Sequence, residues 1–342
     1  MNKKILVTGG SGFVGYHVVR KLLENNWGEI FCLCRADSAT QYLEALPVQI
    51  LRGDLRDFES LKKALRGINL LFHVAADYRL WVKNPQEMLR SNVQGTRHIL
   101  QAALDEKVER VVYTSSVSAV GRPEIHAKNL DFYDAPTIAK LCGNETMDPP
   151  PSQQIGIYKQ SKYQAEICAR TFAKNGLNLV IVNPSTPIGS HDAKPTPTGK
   201  IILDFLEGRM PAYLDTGLNF VDVEDVAMGH LLAAEKGVAG ERYILGSQNM
   251  MLKNLLDLAG QLSGRPSPKF KVPYWVAYSA AAACTAWAEC TGNPPTVALD
   301  AVRMAKELMF YDCNKAKEKL GFRPQPIEQA LQKAIQFFEG KR

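Results

Sequence analysis

The 342-residue chain has seven cysteines, an odd number, and no CxxC pair among Cys32, Cys34, Cys142, Cys168, Cys284, Cys290 and Cys313. A disulfide framework and a thiolate zinc site are therefore both disfavoured, and a reduced, cytoplasmic protein is expected. Its six histidines, His17, His73, His98, His126, His191 and His230, show no metal-ligand spacing, so no metal is expected. His73 reads as a packing residue at a strand end. Dense Lys/Arg blocks are missing as well: 41 basic against 35 acidic residues leave a net charge of +6. That is too diffuse for a nucleic-acid face and suits an anionic small ligand. The N-terminal run MNKKILVTGG is too short for a secretory h-region, so no targeting signal is expected. Internal repeats are absent too. The one long segment poor in charge, 274–290, has only Glu289 charged and is rich in alanine. It is marginal in length for a bilayer span, so membrane contact is not expected and a buried or interface helix is.

What is present is ordinary globular composition, 46% hydrophobic and 22% charged, in a length that suggests two packed units. Through residue 116, short β-branched runs alternate with amphipathic stretches: KILVTG (4–9), EIFCLC (29–34), VQILRG (48–53), NLLFHVA (69–75) and RVVYTSS (110–116). This is the rhythm of βαβ units and predicts a doubly wound parallel sheet. Asp57 and Asn84 stand where helix N-caps belong. A polar, Pro-rich tract (122–154) interrupts the rhythm, then a helix from 158 to 174 leads into the strand LNLVIVN. The tract carries Asp131, Asp134, Glu145 and Asp148 and reads as a lid or a solvated excursion. Beyond Pro184 the pattern loosens, which a second lobe explains.

Directly after the first strand come Gly9, Gly12 and Gly15, with Phe13 and Val14 between the last two, opening a helix. Glycines at this spacing let the backbone turn tightly and approach a pyrophosphate, whose charge the helix N-terminus favours. At the end of the second strand an acid would serve the ribose hydroxyls of NAD, but Cys34 stands there and Arg35 follows. A guanidinium suits the extra phosphate of NADP, so NADP(H) is expected, with Asp37 as the residue through which NAD could still be held. Asp54 and Leu55 fall where an adenine contact belongs, and Asp54 reads equally as a helix cap.

Ser116 ends the fifth strand, and Tyr158 and Lys162 open the next helix one turn apart. An ammonium beside the phenol is expected to pull its pKa towards neutrality, making Tyr158 a usable acid or base. Ser116 would then position a carbonyl or alcohol oxygen.

With these motifs the chain resembles the extended short-chain dehydrogenase/reductase family, also called the NAD-dependent epimerase/dehydratase family. The resemblance is carried by TGGSGFVG, GDL (53–55), HVAA (73–76), NVQGT (92–96), TSS, YKQSK, NPSTPIG, FVDVEDVA (220–227) and KEKLGFRP. It implies an α/β Rossmann-type lobe, 1–183 plus about 222–246, and a smaller α/β substrate lobe, 184–221 plus about 247–342. It also implies Ser116, Tyr158 and Lys162 as the catalytic residues, with Lys162 on the nicotinamide ribose. Further cofactor contacts would come from Ala75, Ala76, Asn92, Pro184 and Thr186, with helix packing the alternative for Asn92. Tyr78, Trp81 and Asn183 would touch substrate; packing between the lobes is the alternative for the two aromatics. Many relatives pair through two helices, so a homodimer is a candidate assembly.

Within the family, the segments 72–81, 183–230 and 241–246 most resemble the dihydroflavonol-reductase-like branch, especially the hopanoid-associated sugar epimerase group. One departure matters: where sugar-nucleotide epimerases usually carry an arginine for the diphosphate, this chain has Leu218 and Asn219. The first expectation is thus an NADPH-dependent reductase of a small-molecule carbonyl. The alternatives are a sugar or nucleotide-sugar epimerase/dehydratase using the same groups, and a non-catalytic NADP sensor.

Overall fold

The structure, a computed structural model, describes residues 3–123 and 141–340. His126, Asp131 and Asp134 lie outside the described residues.

Strands β1 (Lys4–Thr8), β2 (Glu29–Cys34), β3 (Gln49–Arg52), β4 (Leu70–His73), β5 (Arg110–Thr114), β6 (Leu179–Pro184) and β10 (Arg242–Leu245) form one seven-stranded sheet. All its pairings are parallel, in the order β10-β6-β5-β4-β1-β2-β3. Strands buried on both faces read as apolar runs, and alternate residues here enter opposite cores. Ile5 and Val7 of β1 pack on one face with Phe72 and Val112, while Leu6 packs on the other with Leu71 and Val111. Helices α1 (Phe13–Glu24) and α8 (Val223–Lys236) cover the first face, and α3 (Phe58–Leu65), α5 (Gly95–Asp105) and α6 (Gly156–Lys174) the second.

Both expected caps form: Asp57 accepts from Ser60 N at α3, and Asn84 accepts from Gln86 N at α4 (Pro85–Leu89). Asp54 is not a cap. Between α4 and α5 the helix widens into a π turn, Arg90–Gln94, which carries Asn92. Strand order reverses between β1 and β4, so a crevice opens at their carboxyl ends.

A smaller sheet, β11-β9-β7, joins β7 (Thr186–Ile188) and β9 (Gly217–Asp222) in parallel and β9 with β11 (Gln248–Met251) antiparallel. Around it α7 (Pro197–Leu206), α9 (Leu252–Ser263) and α13 (Ile327–Glu339) close a core of their own that includes Phe205, Phe220, Leu255 and Leu331.

Two segments depart from the sequence reading. Part of the polar tract, residues 141–154, is stitched down rather than solvated. Glu145 Oε1 accepts from Ile244 N at 2.9 Å, and Asp148 pairs with Arg170 at 2.8 Å and Arg242 at 3.1 Å. The alanine-rich segment forms α10 (Tyr274–Thr291), and it is not buried: only Ala281 and Ala288 lie in the interior, and Trp275 and Trp287 are 71% and 72% exposed. Nor is any helix among the described residues long and apolar enough to cross a membrane.

Candidate active site

The glycine turn sits at the crevice, folded back on itself by the Gly12 N to Gly9 O hydrogen bond of 2.9 Å. Gly9 has φ +73°, and a Cβ there would fall 2.7 Å from the Ala75 backbone. At Gly15 a Cβ would meet the Gly9 carbonyl oxygen at 2.0 Å. Neither position tolerates a side chain. Gly12, the N-cap of α1, offers no side-chain acceptor, and the first turn has no acidic residue. The leading N–H groups of α1 are thus left for an anion, which is what a dinucleotide pyrophosphate needs. Thr8 ties the turn to the loop after β4: its hydroxyl receives Ala75 N at 3.2 Å and meets His73 Nδ1 at 2.8 Å. His73 is fully buried, packed as the sequence suggested, and burial lowers its pKa to about 3.

At the end of β2, Cys34 is buried and bonded by the Ser11 side chain, so no carboxylate stands there for ribose hydroxyls. Arg35 is exposed, with only a loose 3.4 Å contact to the equally exposed Asp37. Arg52 donates to the Arg35 carbonyl at 2.9 Å, and Arg56 clamps Asp54 at 2.6 Å, holding that carboxyl below its ordinary pKa. The three arginines line a cavity of about 460 Å³ together with Asp37, Asp54 and Asp57. Arg52 and Arg56 were not anticipated; their signal was basic residues at the end of β3, beside the end of β2.

Ser116, Tyr158 and Lys162 converge at the carboxyl end of β5. Ser116 caps a short 3-10 turn, Val117–Ala119, accepting Ser118 N at 3.1 Å. The half-buried Tyr158 phenol faces the Ser116 side chain. The expected lowering of its pKa is not what the structure holds. Burial raises it, with Ser116 and then Ser118 pulling back and the Asp77 charge adding to the rise. The reason is the direction taken by Lys162: its Nζ donates to the Thr114 carbonyl at 2.9 Å and lies over the Tyr113 ring. Burial brings the Lys162 pKa down to about 8, against a smaller opposing pull from Glu166.

Two asparagines expected at ligands also tie the fold together, and the buried Asn183 Oδ1 has no hydrogen-bond partner among the described residues. Asn92 accepts Asp77 N at 2.7 Å and donates to Asp77 O at 2.8 Å and Ser161 Oγ at 2.9 Å, binding the loop after β4 to α6. Asn183, fully buried, donates to the Ser116 carbonyl at 2.9 Å and to Glu166 Oε2 at 2.6 Å. Glu166 in turn holds Arg242 at 2.9 Å and Arg170 at 2.8 Å. Glu166 escaped the sequence reading, although its place four and eight residues after Lys162 and Tyr158 puts it on their helix face.

Around the mouth, Tyr78 reaches the Lys194 carbonyl at 3.4 Å, and Trp81 is half-buried on the same loop. Leu55 packs under α3 and α5, Ala76 is half-buried after β4, and Pro184 and Thr186 end β6 and begin β7. At the position of the diphosphate arginine, the Asn219 side chain is spent on Asn249 Oδ1 at 2.8 Å and Ser247 N at 3.1 Å. Lys159, beside Tyr158, is a further unforeseen residue: it is buried, and burial lowers its pKa to about 7. Among the described residues no three His, Cys, Asp or Glu side chains gather as a metal site.

A model of the NAD dependent epimerase/dehydratase family matches residues 5–246. The chain belongs to this family, the extended short-chain dehydrogenases/reductases, and is an NAD(P)-dependent enzyme. It is 45% identical to a Synechocystis protein under the provisional name dihydroflavonol 4-reductase, over 97% of this chain and 94% of that one. It is 34% identical to sterol demethylase protein B of Methylococcus capsulatus, over 78% of this chain and 77% of that one. The crystal structure of gox2253 is 42% identical and superposes with a TM-score of 0.83 over 99% of both chains.

Proposed function

We propose that this family member is an NADP(H)-dependent reductase of a small-molecule carbonyl, running in reverse on a secondary alcohol. The observation that carries the reading is the approach of the Ser116 side chain to the half-buried Tyr158 phenol at the carboxyl end of β5, with Lys162 held on the Thr114 carbonyl beside them. Gly9, Gly12, Phe13, Val14 and Gly15 would hold the pyrophosphate, Arg35 and Arg52 the 2′-phosphate, and Lys162 the nicotinamide ribose. The bound cofactor supplies hydride. Ser116 donates to the substrate oxygen and steadies it as negative charge develops. Tyr158, kept protonated by its surroundings, delivers the proton from its phenolic oxygen to that oxygen. Lys162, held on the Thr114 carbonyl, would keep a cation for the nicotinamide ribose below pH about 8. Asn183 and Glu166 position Ser116 rather than touching substrate, and Asn92 positions the loop that carries Tyr78 and Trp81.

NADP over NAD is supported by the arginine-lined cavity and by Cys34 in the acid's place. A reductase over a nucleotide-sugar epimerase is supported by the buried, fully bonded Asn219 where the diphosphate arginine would stand. The epimerase is the second reading, favoured by the family's own description. We take the Rossmann lobe as 1–183 plus about 222–246, because β10 extends the large sheet, and the remainder as the substrate lobe. A homodimer is supported by the groove of about 610 Å³ between α5 and α6, beside the exposed Ile167. The test is consumption of NADPH or NADH with a carbonyl panel, run beside a nucleotide-sugar panel with catalytic NAD. Net NADPH oxidation by a carbonyl is expected; epimer interconversion with no net cofactor turnover would replace this reading with the second.

A further inference from the structure

Helix α10 has one charged residue, Glu289, in 18. Its two buried residues, Ala281 and Ala288, are seven apart and mark a single stripe. That stripe packs beside α11 (Leu299–Met304), where Leu299 N donates to Thr285 Oγ1 at 3.1 Å. Projected at about 100° per residue, the exposed positions occupy roughly two-thirds of the circumference. They include Tyr274, Trp275, Val276, Tyr278 and Trp287, with Phe270 just before the helix at 75% exposed. Trp275 and Trp287 stand about 18 Å apart along the axis at ~1.5 Å per residue. An apolar surface this wide is exceptional on a soluble chain and marks an interaction site.

We propose that α10 lies in the interfacial layer of an anionic lipid bilayer. A helix lying in the interface buries the apolar face it presents, and here that face is the open arc carrying Trp275, Val276, Tyr278 and Trp287. Tryptophans near both ends suit the boundary between headgroups and acyl chains, where an amphipathic ring sits best. Charge agrees: exposed Lys269 precedes the helix and exposed Lys306 follows α11, against Glu289, while Lys271 is paired with Asp215 and Arg303 with Asp300 at 3.4 Å. A second copy docked on the same patch would set these cationic flanks against each other.

The helix also borders the active-site mouth. The Lys83 amine lies 3.0 Å from where a Cβ on Gly292 would stand at the end of α10, two residues beyond Trp81. The Asp300 carboxylate lies 2.5 Å from a Cβ placed on Gly156, two residues before Tyr158. Bilayer contact here gives the cleft access to apolar carbonyls or alcohols dissolved in the membrane, a conclusion that rests on the reductase reading.

The test is flotation of the full chain with vesicles of phosphatidylglycerol mixed with phosphatidylcholine, against phosphatidylcholine alone. The wild type should float with the mixed vesicles. The pair Trp275→Ser and Trp287→Ser, and separately the pair Lys269→Glu and Lys306→Glu, should lose about tenfold in partitioning. Light scattering and NADPH turnover on a short, water-soluble carbonyl should be unchanged in all variants. Failure of the wild type to float overturns the proposal. So does a drop in molecular mass for the tryptophan pair with vesicle binding unaltered, which would make the patch a contact between copies. If flotation holds but no soluble carbonyl is reduced, the reductase reading fails and the membrane contact stands. If both hold, a long-chain ketone in vesicles should be reduced by the wild type and about tenfold more slowly by the tryptophan pair.

Discussion

The amide nitrogen of Asn183 donates to the backbone carbonyl of Ser116 at 2.9 Å, across 67 positions of sequence. The same nitrogen donates to Glu166, whose other oxygen holds Arg242 and Arg170. The orientation of the serine thus depends on a buried ionic cluster behind it.

Asn183→Ala should lower kcat by about fivefold, the size of one lost positioning hydrogen bond of ~1 kcal/mol, with little change in NADPH affinity. Steady-state kinetics resolves the two. Glu166→Ala should cost more in stability, about 3 kcal/mol, because Arg242 loses its buried counter-charge and keeps only the half-exposed Asp148 at 3.1 Å. Urea unfolding followed by tryptophan fluorescence measures that loss.

Tyr158→Phe removes the proton donor and keeps the ring. Turnover should fall by about 10²–10⁴-fold while NADPH still binds. Rapid-mixing kinetics with a fluorescence titration of the cofactor checks both, and an undiminished rate would remove Tyr158 from the chemistry.

Arg35→Ala together with Arg52→Ala should raise the KM for NADPH by about 10- to 100-fold, the value of a charge-assisted contact of ~1.5–3 kcal/mol. The KM for NADH should stay within about twofold, since that cofactor brings no phosphate to this cavity. Equal losses with both cofactors would place the 2′-phosphate elsewhere.

Acid should destabilise the fold through imidazoles buried in neutral form. Burial lowers the pKa of His73 to about 3 and those of His17 and His230 to about 4. His230 is fixed in this form by Val226 O at 2.7 Å and Thr114 Oγ1 at 2.8 Å. In the unfolded chain each takes a proton near pH 6.5, so below that pH the unfolded state binds more protons. Stability is full above pH ~6.5 and falls as pH drops towards 4, by about 1–2 kcal/mol per histidine at pH 5. Urea midpoints at pH 7 and pH 5 give the difference, and His230→Gln should shrink it.

Much of the nucleotide half was readable because it is local. Runs such as ILV (5–7) and LLF (70–72) are apolar throughout since both their faces are covered, and Asp57 and Asn84 cap the helices that follow them. Gly9, Gly12 and Gly15 announce their own turn. Contacts between distant residues were not readable: Asn183 with Ser116, or Arg242 with Glu166, 76 positions apart. The phenol shows the same limit from the other side. Helical spacing correctly put Tyr158 and Lys162 on one face, but it could not tell that the ammonium would turn to the Thr114 carbonyl. For α10, expected as a buried or interface helix, the structure excludes burial alone, because burial depends on what remains to cover a helix and only one stripe is covered.

The π turn at Arg90–Gln94 sets a different kind of constraint. A π turn holds one residue more than an α turn, so α4 and α5 are two helical phases joined out of step, with Asn92 at the joint. Removing a single residue there would bring them into step and rotate everything beyond it by about 100°, taking Asn92 away from Asp77 and Ser161. Homologous sequences should therefore keep the length between Pro85 and Asp105 even where its exposed positions vary.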